Sequence, residues 1–374
     1  TMTTAQGTEL SDMAETRVSP VPGSSLYTSI DMVIQSFCEQ TAEKVLEAKG
    51  AKTVSLILMN PANGEIYAMV NAPEYNLNEP YELTEFYSSG VTEKELTTQK
   101  KPELLNQMWR NSCINDTYEP GSAFKIITAT AGLEHGVLSV NDRFYCPGYK
   151  IVADRRIRCH KTTGHGSQNF AEAIMNSCNP AFIEVGARVG TGRLYETFRT
   201  LGLFSKTGID VPGEAGSIMH RKENIKEVEL ATISFGQSFQ ITPLQLLRAV
   251  SAIINGGNMV TPHFGMYTTD DMGNHVSEFS YPVKTNVITK ETSETMKMLL
   301  GKVVSEGTGK NGQVSGFSVG GKTATSQKLP RSAREYIASF IGFSSVEDPE
   351  IIGIILIDEP EGTYYGGTIA APVM

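Results

Sequence analysis

Apolar and polar positions form distinct blocks along the chain. Over residues 30–48 an apolar stripe recurs at helical spacing and ends at Gly50, which predicts a helix with a glycine stop. Apolar residues 54–59 and 65–70 flank an Asn-Gly turn, which predicts a β-hairpin. Residues 1–25 show no periodicity, and we interpret them as a linker or the remnant of a preceding domain.

Helical spacing dominates the middle of the chain. Thr242 is a predicted N-cap, followed by a proline at the first helical position and by Gln245, which completes a capping box. The segment 137–167 is rich in glycine and arginine and lacks periodicity, so a long loop or a small hairpin is expected there. Further helices are predicted from Phe124 to about Gly136, over residues 170–175, after Pro180, and over residues 291–304.

Strand patterns return near the end of the chain, over residues 318–326, 337–344 and 351–358. Strands therefore gather at both ends of the sequence, with helices between them. The simplest arrangement is an α+β fold with one mixed or antiparallel sheet. The sheet would come from about residues 50–71 and 315–358, and residues 75–305 would form a mainly helical lobe across a cleft.

The length and net charge of the chain limit the classes of binding partner that we expect. The chain has 374 residues, enough for a large core, and its net charge of −9 argues against binding nucleic acid or anionic lipid. No apolar run approaches the roughly 18 residues needed to span a bilayer, and the polar start lacks a signal-peptide core. A membrane anchor, if one exists, would lie outside this sequence.

Candidate chemistry begins at Ser122 and Lys125, a hydroxyl and an amine spaced one helical turn apart. Pro120 and Gly121 place the serine at the start of the predicted helix. Exposed N–H groups and the positive end of the helix dipole favour a developing negative charge there. The pair is a candidate activated nucleophile, although Ser-x-x-Lys is a common pattern on its own.

Two more motifs follow in the same order as in penicillin-interacting serine enzymes: Ser177-Cys178-Asn179 and Lys322-Thr323-Ala324. With them, the chain from about residue 26 onward resembles the transpeptidase domain of a class B penicillin-binding protein. Other stretches that resemble this family are Glu119-Pro120-Gly121, residues 231–237, residues 307–309, residues 364–367 and residues 370–373.

The resemblance implies roles for the reactive residues. Ser122 would attack the D-Ala-D-Ala bond of a peptidoglycan stem peptide, and an amine from a neighbouring stem would resolve the acyl-enzyme. Lys125 would be the base, with its pKa lowered by burial and by a second cation, Lys322. Ser177 would relay a proton towards the leaving amine, and Asn179 would orient Lys125 and bind the substrate amide.

The strand motif would hold the substrate. Lys322, Thr323 and Thr325 would bind the terminal carboxylate, and the backbone N–H groups of Ser122 and Thr325 would form the oxyanion hole. Ala324 departs from the family pattern, which has glycine there. A methyl group at this point is expected to crowd bulky β-lactam side chains or to shift the strand slightly.

The resemblance also implies a penicillin-binding/β-lactamase-like transpeptidase fold: a five-stranded antiparallel sheet covered by helices, plus an inserted all-helical lobe. It further implies that β-lactams inhibit the enzyme and that a membrane glycosyltransferase is its partner. The protein would be held at the extracytoplasmic face of the membrane by an N-terminal anchor. A serine β-lactamase, a β-lactam sensor domain and an inactive scaffold stay open as alternatives. The cysteine-rich loop and Ala324 incline the interpretation towards a sporulation-type enzyme, with growth and division roles also open.

A second candidate site lies in the segment between the first two motifs. Cys146, Asp154, Cys159 and His160 supply two thiols, a carboxylate and an imidazole, a set suited to a structural Zn²⁺ with no open position. Adjacent residues on a strand point to opposite faces, so Cys159 and His160 share a metal only if the backbone bends, and His165 is a substitute ligand. The alternatives are a Cys146–Cys159 disulfide and simple unpaired thiols.

Overall fold

The computed structural model describes residue 6, residues 21–92, residue 96 and residues 100–374; the predicted linker of residues 1–25 therefore lies mostly outside the described residues. The strands are β1 (Ser25–Thr28), β2 (Thr53–Met59), β3 (Ile66–Ala72), β4 (Arg143–Cys146), β5 (Tyr149–Val152), β6 (Arg155–Arg158), β7 (Gly166–Asn169), β8 (Gly265–Thr269), β9 (His275–Glu278), β10 (Val319–Gln327), β11 (Tyr336–Ser344) and β12 (Ile351–Asp358).

The α-helices are α1 (Met32–Lys49), α2 (Glu85–Ser88), α3 (Lys100–Met108), α4 (Lys125–Glu134), α5 (Phe170–Met175), α6 (Asn179–Thr200), α7 (Glu227–Ile233), α8 (Pro243–Ile254), α9 (Lys290–Ser305) and α10 (Gly366–Ile369). Short 3₁₀ helices span Gly121–Phe124, Lys222–Asn224, Lys310–Gly312 and Arg331–Ala333.

One five-stranded antiparallel sheet is built from both ends of the chain, in the order β10-β11-β12-β2-β3. The predicted pairing of early and late strands is thereby confirmed. Strand β10, which carries the Lys-Thr-Ala motif, is an edge strand, and no strand within the described part of the chain pairs with its outer side. Substrate backbone can pair with an edge of this kind, so the position of β10 matters for function.

Each face of the sheet is covered by a different layer. Val54 and Leu56 lie on the face that packs with α1 and the C-terminal segment, whereas Ile57 and Met59 face the helical lobe. Helix α1 begins where the Asp31 side chain accepts two backbone N–H groups, and it ends at Gly50, whose φ of 53° is left-handed. The predicted helix and its glycine stop are confirmed.

The lobe between the two parts of the sheet is mainly helical, and α4, α5, α6, α8 and α9 contribute most of its buried apolar side chains. Helix α8 has the predicted capping box between Thr242 and Gln245. The lobe is not all-helical as predicted, because β4 pairs with β7 and β5 pairs with β6 in two small antiparallel sheets. These four-residue strands are too short to show a period in the sequence.

A second compact unit comprises the described residues up to Thr28 together with residues Gly265–Ser280. Its strands pair antiparallel in the order β1-β8-β9, and the rings of Tyr27 and Tyr267 stack 4.5 Å apart. The sequence patterns did not predict this unit. Among the described residues, no helix has the length and apolar character needed to cross a membrane.

Candidate active site

The turn that carries Ser122 is the 3₁₀ helix that leads directly into α4. Side chains three residues apart eclipse each other in a 3₁₀ turn, and Ser122 Oγ lies 3.1 Å from Lys125 Nζ. Gly121 begins the turn with a φ of 53°, and a Cβ there would lie 2.5 Å from Ser326 Oγ. Glycine is therefore required before the serine, both for backbone conformation and for space.

The loop before α8 supports this turn from behind. The N–H of Gly121 donates to the carbonyl of Gly236 at 2.9 Å, and a Cβ on Gly236 would lie only 2.0 Å from Gly121 O. The buried carboxylate of Glu119 accepts the N–H of Ser238 at 3.0 Å and binds Arg331 at 2.5 Å. The turn is thus tied to the loop before α8 and to the loop after β10.

Ser177 owes its position to the way α5 ends. Its φ is 50°, its N–H donates to Ile174 O, and the N–H of Cys178 donates to Ala173 O. This pair of hydrogen bonds is the Schellman pattern, which places one left-handed residue just beyond a helix. Asn179 then begins α6. Ser177 therefore lies on a bend between α5 and α6, two helices that the sequence predicted, and Asn179 lies at the far end of that bend.

The Lys125 amine is fully buried among oxygen atoms. It lies 2.7 Å from both Ser177 O and Asn179 Oδ1, 3.1 Å from Ser122 Oγ and 3.2 Å from Ser177 Oγ. Burial lowers the pKa of Lys125 to about 8. A neutral amine has two hydrogens for the two closest acceptors, which leaves its lone pair for the Ser122 hydroxyl.

The side chain of Lys322, on β10, also contacts Ser177. Its amine donates to Ser177 Oγ at 3.0 Å and to Thr323 O at 3.1 Å, and its side chain is fully buried. Burial, together with the charge of Lys125, holds the pKa of Lys322 well below its usual range. Ser177 Oγ thus lies between two buried amines.

Beside these groups lies a cleft of about 640 Å³. Thr323, Ala324 and Thr325 line it from β10; by strand alternation, the Ala324 methyl shares its face with Lys322, and it is 3% exposed. Aromatic side chains also line the cleft, and the sequence motifs did not identify them as part of the site. That lining consists of Phe235, Tyr336, Tyr364 and Tyr365, with the rings of Tyr336 and Tyr364 stacked 4.0 Å apart.

A cluster of three thiols and an imidazole lies next to the Ser177 turn. The ligand atoms of Cys146, Cys159, His165 and Cys178 all lie within 4.8 Å of one another, and the three cysteines are buried. A hydrogen bond with Cys178 lowers the pKa of Cys159 to about 4, and the same bond raises the pKa of Cys178. Cys159 therefore has thiolate character, which suits a metal ligand.

The structure brings together half of the predicted metal set, Cys146 and Cys159. Asp154 and His160 are exposed and lie outside the cluster, and His160 Nε2 donates to Asn176 O at 2.7 Å instead. The His160 ring lies 5.3 Å from the ring of His165, the substitute ligand, which is in the cluster. Cys178 was missed because it follows a separate helix, although its place beside Ser177 was the available clue. The structure has all five cysteines as free thiols, so the alternative disulfide is not formed.

The family model described as "Penicillin binding protein transpeptidase domain" matches residues 54–374. The chain belongs to that family. As a penicillin-binding protein transpeptidase domain, it is 36% identical to stage V sporulation protein D of Bacillus subtilis (strain 168), over 100% of this chain and 55% of that protein.

Two other matches extend the comparison. The domain is 28% identical to the "Probable peptidoglycan D,D-transpeptidase PenA" of Neisseria meningitidis serogroup A, over 94% of this chain and 56% of that protein. The apo crystal structure of penicillin-binding protein 3 from Mycobacterium tuberculosis superposes with a TM-score of 0.80 at 25% identity, covering 96% of this chain and 79% of that one. The chain spans about half the length of the curated relatives it matches.

Proposed function

We propose that this domain is a serine D,D-transpeptidase that cross-links peptidoglycan stem peptides through an acyl-enzyme on Ser122 and that β-lactams inhibit it. The observation that carries the proposal is the buried Lys125 amine, 3.1 Å from Ser122 Oγ. A serine needs a base within hydrogen-bond reach to become a nucleophile near neutral pH, and an amine with a pKa of about 8 meets that need.

In the acylation step, Lys125 takes the Ser122 proton while Oγ bonds to the carbonyl carbon of the D-Ala-D-Ala peptide. The backbone N–H groups of Ser122 and Thr325 would hold the oxyanion. When the C–N bond breaks, the departing D-alanine amine needs one proton. Ser177 Oγ, 3.2 Å from Lys125 Nζ, can pass that proton on. An incoming amine then reverses these steps and yields the cross-link.

Lys322 and Asn179 position the reacting groups. Lys322 Nζ is 3.0 Å from Ser177 Oγ, which orients the relay hydroxyl. Thr323 and Thr325 line the cleft and offer hydroxyl groups to the terminal carboxylate of the substrate. Asn179 Oδ1 accepts from Lys125 at 2.7 Å, which fixes the amine towards Ser122.

Labelling with fluorescent penicillin tests this function. The wild-type chain should form a covalent adduct, and Ser122→Ala should form none while it keeps the wild-type melting temperature. A transpeptidase should release the adduct slowly, so rapid turnover of the β-lactam would favour the β-lactamase alternative. An absence of adduct on the folded wild-type chain would favour the inactive scaffold.

We also propose that Cys146, Cys159, His165 and Cys178 bind a structural Zn²⁺. Three thiolates and one imidazole form a complete tetrahedral set, and bonds of about 2.0–2.3 Å place such ligand atoms about 3.5–3.8 Å apart. Cys159 Sγ lies 3.7 Å from His165 Nδ1, within that range. Four protein ligands leave no open position, so the ion would order the turn at Ser177 rather than take part in acyl transfer.

Metal analysis of the purified protein tests the site. Inductively coupled plasma mass spectrometry should find about one zinc per chain. Loss of zinc in His165→Ala, with retention in His160→Ala, would distinguish the proposed ligand set from the one that the sequence suggested. Protein purified without chelator and still free of zinc would refute the site.

We further propose that the longer protein acts at the extracytoplasmic face of the membrane, where peptidoglycan is cross-linked, together with a membrane glycosyltransferase. A role in sporulation is supported by the 36% identity to stage V sporulation protein D over 100% of this chain. Deletion of the gene tests that role. Normal growth with defective spore cortex would support it, and defective vegetative growth would contradict it.

A further inference from the structure

The hairpin formed by β5 and β6, which we call the basic hairpin (residues 149–158), lies in an unusually positive stretch. Residues 143–161 contain six Lys or Arg and a single acidic residue, Asp154, for a net charge of +5, whereas the whole chain carries −9. Charge of one sign concentrated on a short hairpin creates a local field that attracts the opposite charge. The stretch therefore contrasts with the acidic background of the chain.

The two faces of the basic hairpin differ. Val152 and Ile157 on its inner face pack against α6, α7 and Phe235, and Lys150 on the same face pairs with Glu184 at 3.1 Å. The pairing of Tyr149 with Arg158 and of Ile151 with Arg156 places these four residues together on the outer face; this set is Tyr149, Ile151, Arg156 and Arg158.

Both outer arginines are exposed, and neither forms an ion pair with any residue that the structure describes. The Arg156 guanidinium lies 3.7 Å from the centre of the Tyr149 ring, a stacking contact that leaves its N–H groups available at the edge. Ile151 is 65% exposed beside them. Two arginines with adjacent apolar surface form a site that suits a carboxylate-bearing peptide.

The basic hairpin adjoins the catalytic motif. The Asn179 side chain, whose oxygen contacts Lys125, donates its N–H to the backbone carbonyl of Arg158 at 3.1 Å. Two strand residues span about 6.6 Å, which is the distance along β6 from Arg158 to Arg156. The contacts from Ser122 Oγ through Lys125 and Asn179 keep the Arg158 carbonyl within about 11 Å of the nucleophile, a span that about three residues of an extended peptide cover. An acidic residue that precedes the D-Ala-D-Ala end would therefore lie near the basic hairpin.

We propose that the outer face of the basic hairpin binds the acidic residue of the stem peptide upstream of the scissile D-Ala-D-Ala bond, through Arg156 and Arg158. This inference rests on the proposed transpeptidase function and adds a specificity site to it. The arginines orient and attract the substrate and take no part in bond making. Their contribution should therefore appear in KM and in salt dependence, with little change in kcat.

Steady-state kinetics with two matched donors tests the proposal: acetyl-L-Ala-D-Glu-L-Lys-D-Ala-D-Ala and the same peptide with D-Gln in place of D-Glu. Released D-alanine is measured. The wild-type chain should show a KM about 3–10-fold lower for the D-Glu peptide, and the preference should shrink as salt rises from about 50 to 300 mM. Arg156→Glu combined with Arg158→Glu should abolish or invert the preference, and Arg156→Lys with Arg158→Lys should retain most of it.

A matched control reverses two exposed basic residues elsewhere, Arg199→Glu on α6 and Lys302→Glu on α9, with the same change in net charge. The control should keep the wild-type preference. If the double Arg variant fails to fold, Arg156→Gln alone should lose about half of the preference. Equal KM values for both peptides in the wild-type chain, or an effect of the control as large as that of the double variant, would overturn the proposal.

Fluorescent penicillin separates this inference from the function on which it rests. All variants should acylate at Ser122 at rates within about twofold of wild type, because the hairpin arginines lie outside the acylation machinery. Loss of D-Glu preference with intact acylation supports the docking site. Absence of acylation in the wild-type chain would instead refute the proposed function.

Discussion

The contact between Gly236 and the turn before Ser122 gives a prediction whose size follows from the structure. In Gly236→Ala the new Cβ would lie 2.0 Å from Gly121 O and 2.7 Å from its carbonyl carbon, whereas real Cβ atoms stay beyond 3.0 Å. One of the two backbones must therefore move by about 1 Å. A misplacement of about 1 Å at a reacting group costs about 100-fold in rate, so we expect acylation by penicillin to slow by about that factor.

The backbone conformation needs its own control. Gly236 has a φ of +85°, and alanine in that region costs about 1–2 kcal/mol regardless of space. Gly256 has a φ of +84°, but a Cβ added there would have no neighbouring atom within 4 Å, so Gly256→Ala carries the same strain without the contact. Stopped-flow acylation and thermal unfolding of both variants separate the two effects. Equal acylation rates in the two variants would show that the contact with Gly121 does not slow acylation.

Three further predictions concern the site and the thiol cluster. The acylation rate constant should rise about tenfold per pH unit below the Lys125 pKa of about 8 and level off above it, because only the neutral amine accepts the Ser122 proton; a profile that falls with pH would contradict this. Ala324→Gly should leave the ratio of acylation rates for bulky and small β-lactams close to that of the wild type, as measured by competition labelling, because the Ala324 methyl is 3% exposed and lies on the buried Lys322 face of β10 rather than in the cleft. Cys178→Ser should reduce zinc to near zero and lower the melting temperature, whereas the equally buried Cys38→Ser should keep the metal.

The Ser177 turn connects the candidate active site to the thiol cluster. Ser177 is the left-handed residue after α5, and the residue that follows it, Cys178, directs its sulfur into the cluster. Asn179, the next residue, holds Lys125. Three consecutive residues thus carry the proposed relay hydroxyl, a thiol of the cluster and the amide that contacts Lys125. A change at Cys178 should therefore alter the orientation of both neighbours.

Local sequence patterns predicted most of the fold. Helical stripes and glycine stops identified α1, and the capping box at Thr242 identified α8, because both depend on hydrogen bonds within a few residues. The pairing of early and late strands followed from buried strand patterns at the two ends of the chain. The β5/β6 hairpin lies in the segment where a long loop or a small hairpin was expected, whereas the β4/β7 sheet was not predicted, because four-residue strands depend on contacts that local periodicity does not contain.

The candidate site was predictable to a similar extent. Ser122 and Lys125 share a turn, and the order of the motifs along the chain predicted that Ser177 and Lys322 lie beside them. The structure places these four groups together. The metal set was predicted from nearness in sequence, which does not identify Cys178, a residue brought to the cluster by a separate helix. His160 adjoins Cys159 along the chain, but its Nε2 donates to Asn176 O, outside the cluster.

The proposed function requires that Ser122 form a long-lived acyl-enzyme with the help of Lys125. A time course of intact-protein mass spectrometry after a pulse of penicillin, with peptide mapping of the adduct, measures this step itself. We expect one adduct per chain on Ser122 that persists for many minutes, with strongly slowed formation in Lys125→Met. An adduct at any other residue, or its loss within seconds, would refute the proposed acyl-enzyme.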